Sequence, residues 1–189
     1  MAVDAKQTPE RSDSEQRPAY KLRAAEGEDA EALYHFGRAL LAETSFFLRG
    51  PSERARSVDE MRLIIERFRE LPRHLLLTAW LDDAPVGEAV VMGGELERNR
   101  YTATVGVGVL QAHTGNGLGR KLMEGLEFFA HKADLHRLEL TVMSHNPRAL
   151  RLYEQMDYQV EGTRRESLYI DGAYVDEIVM SKLLETGPE

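Results

Sequence analysis

The chain has 189 residues, of which 42% are hydrophobic and 30% charged, and a net charge of −8. That length and composition fit one soluble domain with a full core. The lack of cysteine excludes disulfides, thiolate catalysis and cysteine-bound metals, and the acidic balance argues against tight, non-specific nucleic-acid binding, which needs a concentrated basic surface.

Residues 1–18 are polar and almost free of large apolar groups, the pattern of a disordered tail, and a single domain is expected over 19–185. No apolar run approaches a membrane span, and no basic segment leads into an apolar one at the N-terminus, so a cytoplasmic protein without membrane contact is expected. Order begins with a short strand at Tyr20–Arg23. Leu33, Phe36, Leu40 and Leu41 give Ala30–Leu41 the period of a helix, and Glu43–Pro51 reads as an irregular loop. Val58, Met61, Ile65 and Phe68 mark a second helix that closes before Pro72. His74–Leu81 and Val86–Met92 are strand-like, with Asp82-Asp83-Ala84-Pro85 between them as a hairpin connection.

Next comes Val105-Gly106-Val107-Gly108-Val109. In extended chain, the three valines share one face, and Thr104, Gly106 and Gly108 share the other. A bare glycine face marks close approach, either by a ligand or by a neighbouring element of the fold. Thr114-Gly115-Asn116-Gly117-Leu118-Gly119-Arg120 then opens a helix whose apolar stripe is Leu118, Leu122, Leu126 and Phe129. A helix start presents unpaired N–H groups at the positive end of its dipole, and glycine lets an anion lie against the backbone. The segment therefore suits a phosphorylated ligand. It does not match the dinucleotide fingerprint, because Arg120 stands where the third glycine would be, nor the P-loop, because Lys121 is followed by Leu122.

Arg137–Val142 alternates as a fifth strand. Asn146-Pro147 joins a favoured N-cap to a favoured first helical residue, and Leu150, Tyr153 and Met156 form the stripe behind them. Tyr158–Ile170, Asp171-Gly172 and Ala173–Leu183 read as a closing hairpin. The order predicts an α/β (α+β) domain, a mixed sheet with helices on both faces. Two helix starts, at Gly117 and Pro147, each follow a strand and converge on one edge of the sheet, where ligands of such sheets bind.

These residues resemble the GNAT superfamily of N-acetyltransferases over about Tyr20–Leu184. The resemblance rests on the strand, glycine loop and helix of Thr104–Phe129, on Asn146-Pro147-Arg148-Ala149-Leu150-Arg151-Leu152-Tyr153, which is similar to the family's Asn-x-x-Ala-x-x-Leu-Tyr motif, and on the terminal hairpin with Tyr174-Val175-Asp176-Glu177. It implies a mixed, mostly antiparallel twisted sheet of six to seven strands. It also implies acetyl-CoA as co-substrate, an amine of a small molecule or a protein as acceptor, no metal, and a terminal hairpin that in relatives can pair two subunits as a homodimer.

By position, the resemblance implies that backbone groups of Val107 and Val109 pair with the pantetheine arm. The N–H groups of Gly115, Asn116, Gly117, Leu118, Gly119 and Arg120 would hold the pyrophosphate. Asn146 would hydrogen-bond the cofactor arm, and Tyr153 would be the general acid for the CoA thiolate, near an oxyanion held by the N–H of Val109 or Leu110. The chain departs from the family at Thr114, where Gln or Arg is usual, and at Asp157, where glycine is usual. It departs again at Thr104, the place of a glutamate base in many relatives. Candidate bases are then Glu88, Glu43 and His145 in that order, each with a solvated surface role as its alternative, and water is a further carrier of the proton. The missing glutamate leaves a non-catalytic acyl-CoA-binding module as the competing reading.

Overall fold

The computed structural model describes residues 18–185, so the expected tail at 1–18 lies, apart from Pro18, outside the described residues. Strand β1 (Lys21–Ala24) is followed by helices α1 (Ala30–Ala42) and α2 (Val58–Glu70), and then by strands β2 (His74–Leu81), β3 (Ala84–Gly93) and β4 (Thr102–Val109). Helix α3 (Leu118–Lys132), β5 (Arg137–Met143), α4 (Pro147–Gln155), β6 (Gln159–Ile170) and β7 (Ala173–Leu183) complete the domain.

Local chemistry sets most of the boundaries. The Ser57 hydroxyl accepts the Glu60 N–H at 3.1 Å and starts α2, whose acidic first turn and basic last turn complement the helix dipole. The helix stops at Leu71, which is extended as residues before proline prefer. Asp171 and Gly172 both take positive φ, 50° and 85°, which suits a two-residue hairpin turn. Between β2 and β3 the ladder runs on to Leu81↔Ala84. That connection is therefore the pair Asp82-Asp83, tighter than the four-residue link expected from the sequence, with Asp82 at φ 52°.

The seven strands order as β1-β2-β3-β4-β5-β7-β6, and every neighbouring pair is antiparallel except β4 and β5. The expected mostly antiparallel mixed sheet is present. Alternation along the strands divides the apolar side chains into two cores. Leu77, Ala79, Val91 and Val105 pack with Leu118, Leu122 and Leu126 of α3 on one face. Leu76 and Trp80 pack with Leu33, Phe36 and Leu40 of α1, and with Met61 and Ile65 of α2, on the other.

The parallel pair positions the site. Its register covers only Thr102↔Arg137, Ala103↔Leu138 and Thr104↔Glu139. Beyond Thr104 the two strands part, so the rest of β4 is laddered on its β3 side alone, up to Gly87↔Val109. A sheet that splits at mid-length leaves unpaired backbone polar groups on both lips of the gap, and such groups need a partner. Among the described residues no helix is long and apolar enough to cross a membrane.

Candidate active site

A cleft of about 690 Å³ opens where β4 and β5 part. Val107 and Val109 of β4, Thr141 and Val142 of β5, the glycine loop, and the first two turns of α4 line it. The Leu110 N–H donates to the Val86 carbonyl at 3.0 Å, across the ladder to β3. Successive peptide groups of a strand point to opposite edges, so the N–H of Val109 and that of Val107 point into the gap. Of the two expected oxyanion donors, Leu110 is thus already engaged with β3, and Val109 is the one whose N–H points into the gap.

The glycines of the loop serve two different ends. Gly115 (φ 81°) and Gly117 (φ 80°) occupy left-handed backbone that L side chains rarely adopt, and a Cβ at either would meet nothing within 4 Å. They shape the turn and leave open space beside it. Gly119 lies against α4, where a Cβ would come within 3.3 Å of Leu152 Cδ2, so it lets α3 and α4 approach. On β4, the bare glycine face is taken up by the fold. A Cβ at Gly108 would stand 2.6 Å from Leu40 Cδ2 and 3.0 Å from Phe47 Cζ. There the close approach comes from α1 and the loop after it.

Helix α4 brings two expected residues into the cleft. The Asn146 side-chain oxygen accepts the Ala149 N–H at 3.1 Å and caps the helix, which leaves the side-chain NH₂ for another acceptor. Tyr153 faces the cleft but is only 6% exposed, and its ring packs at 5.9 Å from that of Tyr158. Burial pushes the Tyr153 hydroxyl up to about 12, so the group is protonated at neutral pH and can donate. Asp157, in the place of the usual glycine, takes the same positive φ (65°) that glycine would. The turn is therefore preserved, and the Tyr158 N–H closes it on the Tyr153 carbonyl at 2.9 Å.

Of the remaining expected positions, Gly115, Gly117, Gly119 and Arg120 line the cleft, whereas the Asn116 side chain does not, and Leu118 is a core residue. Glu88 also lies outside the lining. Both of its oxygens accept from the Arg54 guanidinium at 2.6 Å, and both side chains are largely buried. Arg54 lies flat over Gly37 of α1, where a Cβ would meet its Nη1 at 2.9 Å. Glu88 thus pins the segment between α1 and α2 to the sheet. Glu43 does line the cleft, and its Oε2 accepts the Gln111 N–H at 2.7 Å. The exposed His145 packs its ring 5.2 Å from that of Phe46. Thr104 is not part of the lining.

Sequence reasoning passed over Arg148 and Arg151, which stand three residues apart on α4 and line the cleft with Arg120. Their signal was present in the arginines that follow the Asn146-Pro147 cap. Three arginines lining one cleft of a protein of net charge −8 make a local attraction for a polyanion, with the Arg120 guanidinium also donating to the Gln155 side-chain oxygen at 3.3 Å. The arrangement can hold an extended chain against the β4 edge that faces the gap and a phosphate-rich group at two helix starts, with Val109 and Tyr153 lining the same cleft.

The chain matches the model of the acetyltransferase (GNAT) family over residues 38–158. It is 28% identical over 119 residues to the L-amino acid N-acetyltransferase AaaT of Escherichia coli (strain K12), covering 62% of this chain and 74% of that protein. Its fold is similar to that of an acetyltransferase of the GNAT family from Streptococcus pneumoniae, with a TM-score of 0.84, 25% identity, and coverage of 88% of this chain and 99% of that one. It is also similar to yncA of Salmonella typhimurium, a candidate acetyltransferase solved with its cofactor acetyl-CoA, with a TM-score of 0.79, 23% identity, and coverage of 90% and 97%.

Proposed function

The chain belongs to the acetyltransferase (GNAT) family, and from that premise we propose that it moves an acetyl group from acetyl-CoA to an amine of a small molecule or a protein by direct attack in the cleft between β4 and β5. The observation that carries this reading is the convergence on one gap of an unpaired strand edge, two helix starts and the Tyr153 hydroxyl. The residues fit acetyl-CoA, which the yncA structure holds. The N–H of Val107, which points into the gap, suits the amide-bearing pantetheine arm, and that of Val109 is left for the reacting carbonyl. The N–H groups of Gly115–Arg120 suit the pyrophosphate, with the charge of Arg148 and Arg151 beside them, and the Asn146 NH₂ suits a carbonyl of the arm.

Acetyl-CoA supplies an activated thioester. The neutral amine attacks its carbonyl carbon to form a tetrahedral intermediate, and the Val109 N–H faces the position where the oxyanion develops. Tyr153 is the general acid for the departing sulfur. A thiol near ~8.5 is a stronger acid than Tyr153 near 12, so hydrogen bonding to the developing thiolate is the larger part of that role. An acceptor that arrives as an ammonium ion gives up two protons, one that ends on the CoA sulfur and one that leaves to water. Glu88, held by Arg54, acts structurally in this scheme, and water carries the second proton.

The test is thiol release with an amine acceptor. Tyr153→Phe keeps the ring and removes the donor, and is expected to lower turnover by about 100-fold while acetyl-CoA affinity is retained. Unchanged turnover would remove Tyr153 from the chemistry.

A further inference from the structure

The two walls of the cleft differ in charge and polarity. The three lining arginines, Arg120, Arg148 and Arg151, all belong to α3 and α4. On the opposite wall, Leu40 of α1 and the loop after it supply Phe46 and Phe47, with Thr44 and the carboxylate of Glu43. Among the described residues lining that second wall there is one anion and no cation.

Glu43 is held in place. Its Oε2 accepts the Gln111 N–H at 2.7 Å, two residues beyond the end of β4, and Oε1 has no partner among the described residues. Gln111 follows Leu110, whose own N–H is tied to β3. One hydrogen bond thus ties the exposed Glu43 carboxylate to backbone two residues along the chain from Val109, the donor assigned to the oxyanion. The apolar part of the wall is set as firmly. Leu40 and Phe47 fill the space above Gly108, and Phe46 remains 40% exposed at the mouth, against His145. An anion beside aromatic surface recognises a cation on an apolar body.

We propose that the acceptor is a hydrophobic monoamine without a free carboxylate beside the amine, its ammonium held by Glu43 Oε1 and its apolar body held by Leu40, Phe46 and Phe47. A free amino acid would bring its carboxylate towards that of Glu43 with no cation on the same wall. A polyamine would bring two or more charges to one carboxylate and apolar surface. The proposal rests on the transferase reading above and goes beyond it in naming the acceptor. It also separates this chain from what its Escherichia coli relative is named for, an L-amino acid.

The experiment is thiol release from acetyl-CoA with phenethylamine, L-phenylalanine and spermidine as alternative acceptors, on the wild-type chain and on Glu43→Gln. The amide oxygen that replaces the carboxylate can still accept the Gln111 N–H, so the substitution removes the charge and keeps the loop. The expected result is a kcat/KM for phenethylamine about tenfold or more above those for the other two, and a rise in its KM of roughly tenfold in Glu43→Gln with the acetyl-CoA Kd unchanged. Preference for L-phenylalanine or spermidine, or an unchanged KM in Glu43→Gln, would overturn this inference and leave the transferase reading standing. Acetyl-CoA binding with no thiol release to any of the three amines would overturn this inference alone; absence of acetyl-CoA binding would overturn both.

Discussion

Both oxygens of Glu88 meet the Arg54 guanidinium at 2.6 Å, so both are occupied by a structural ion pair, and removing the charge of Glu88 would leave a largely buried cation unpaired. Glu88→Gln is accordingly expected to cost roughly 2 kcal/mol of stability, a fall in Tm of several degrees, since it strands Arg54 against Gly37. Thermal unfolding of the variant measures it. An unchanged Tm with lost turnover would return Glu88 to the chemistry. At this scale the fixed spacing of the Asn146-to-Tyr153 motif is what puts both residues on the first turns of one helix, where they line the cleft. The Arg54 partner of Glu88 is not legible in the sequence, because it lies 34 residues away and nothing local points to it. The bare face of Gly106 and Gly108 had two readings for the same reason. Which one holds at Gly108 is decided by Leu40 and Phe47, from a helix and a loop on another part of the chain.

The turn between β4 and α3 makes a separate prediction about anion binding. Gly117 has φ 80°, a conformation that asparagine and aspartate tolerate better than other side chains. Gly117→Asn and Gly117→Asp therefore impose comparable backbone strain and differ in charge. If the pyrophosphate sits at this helix start, Gly117→Asp binds acetyl-CoA about tenfold more weakly than Gly117→Asn. Equal affinities would place the phosphates elsewhere. Elements of this kind were legible where boundary chemistry is strong: the Asn146-Pro147 start of α4, the Asp171-Gly172 turn, and the close of α2 before Pro72 all fall where their residues require. The Asp82–Pro85 link is shorter in the structure than the sequence suggests, because Pro85 has turn-forming character yet pairs with Trp80 in the ladder, as Ala84 does with Leu81.

For the whole molecule, the decisive feature is one parallel pair in an otherwise antiparallel sheet. The order of elements predicts a mixed sheet with helices on both faces, and two cores on opposite faces satisfy it. The insertion of β7 between β5 and β6 depends on pairings across long chain separations, such as Arg137↔Leu183, which no local pattern records. The same holds for the early end of the β4–β5 ladder, which opens the gap. Charge behaves in the same way. A net charge of −8 suggests little affinity for a polyanion, yet folding gathers Arg120, Arg148 and Arg151 on one wall. The central claim is that this gap is a binding site for acetyl-CoA. Calorimetric titration with acetyl-CoA, beside free CoA and NAD, tests it most directly. The account predicts saturable binding of one acetyl-CoA per chain, with free CoA binding and NAD not; absence of acetyl-CoA binding would contradict it.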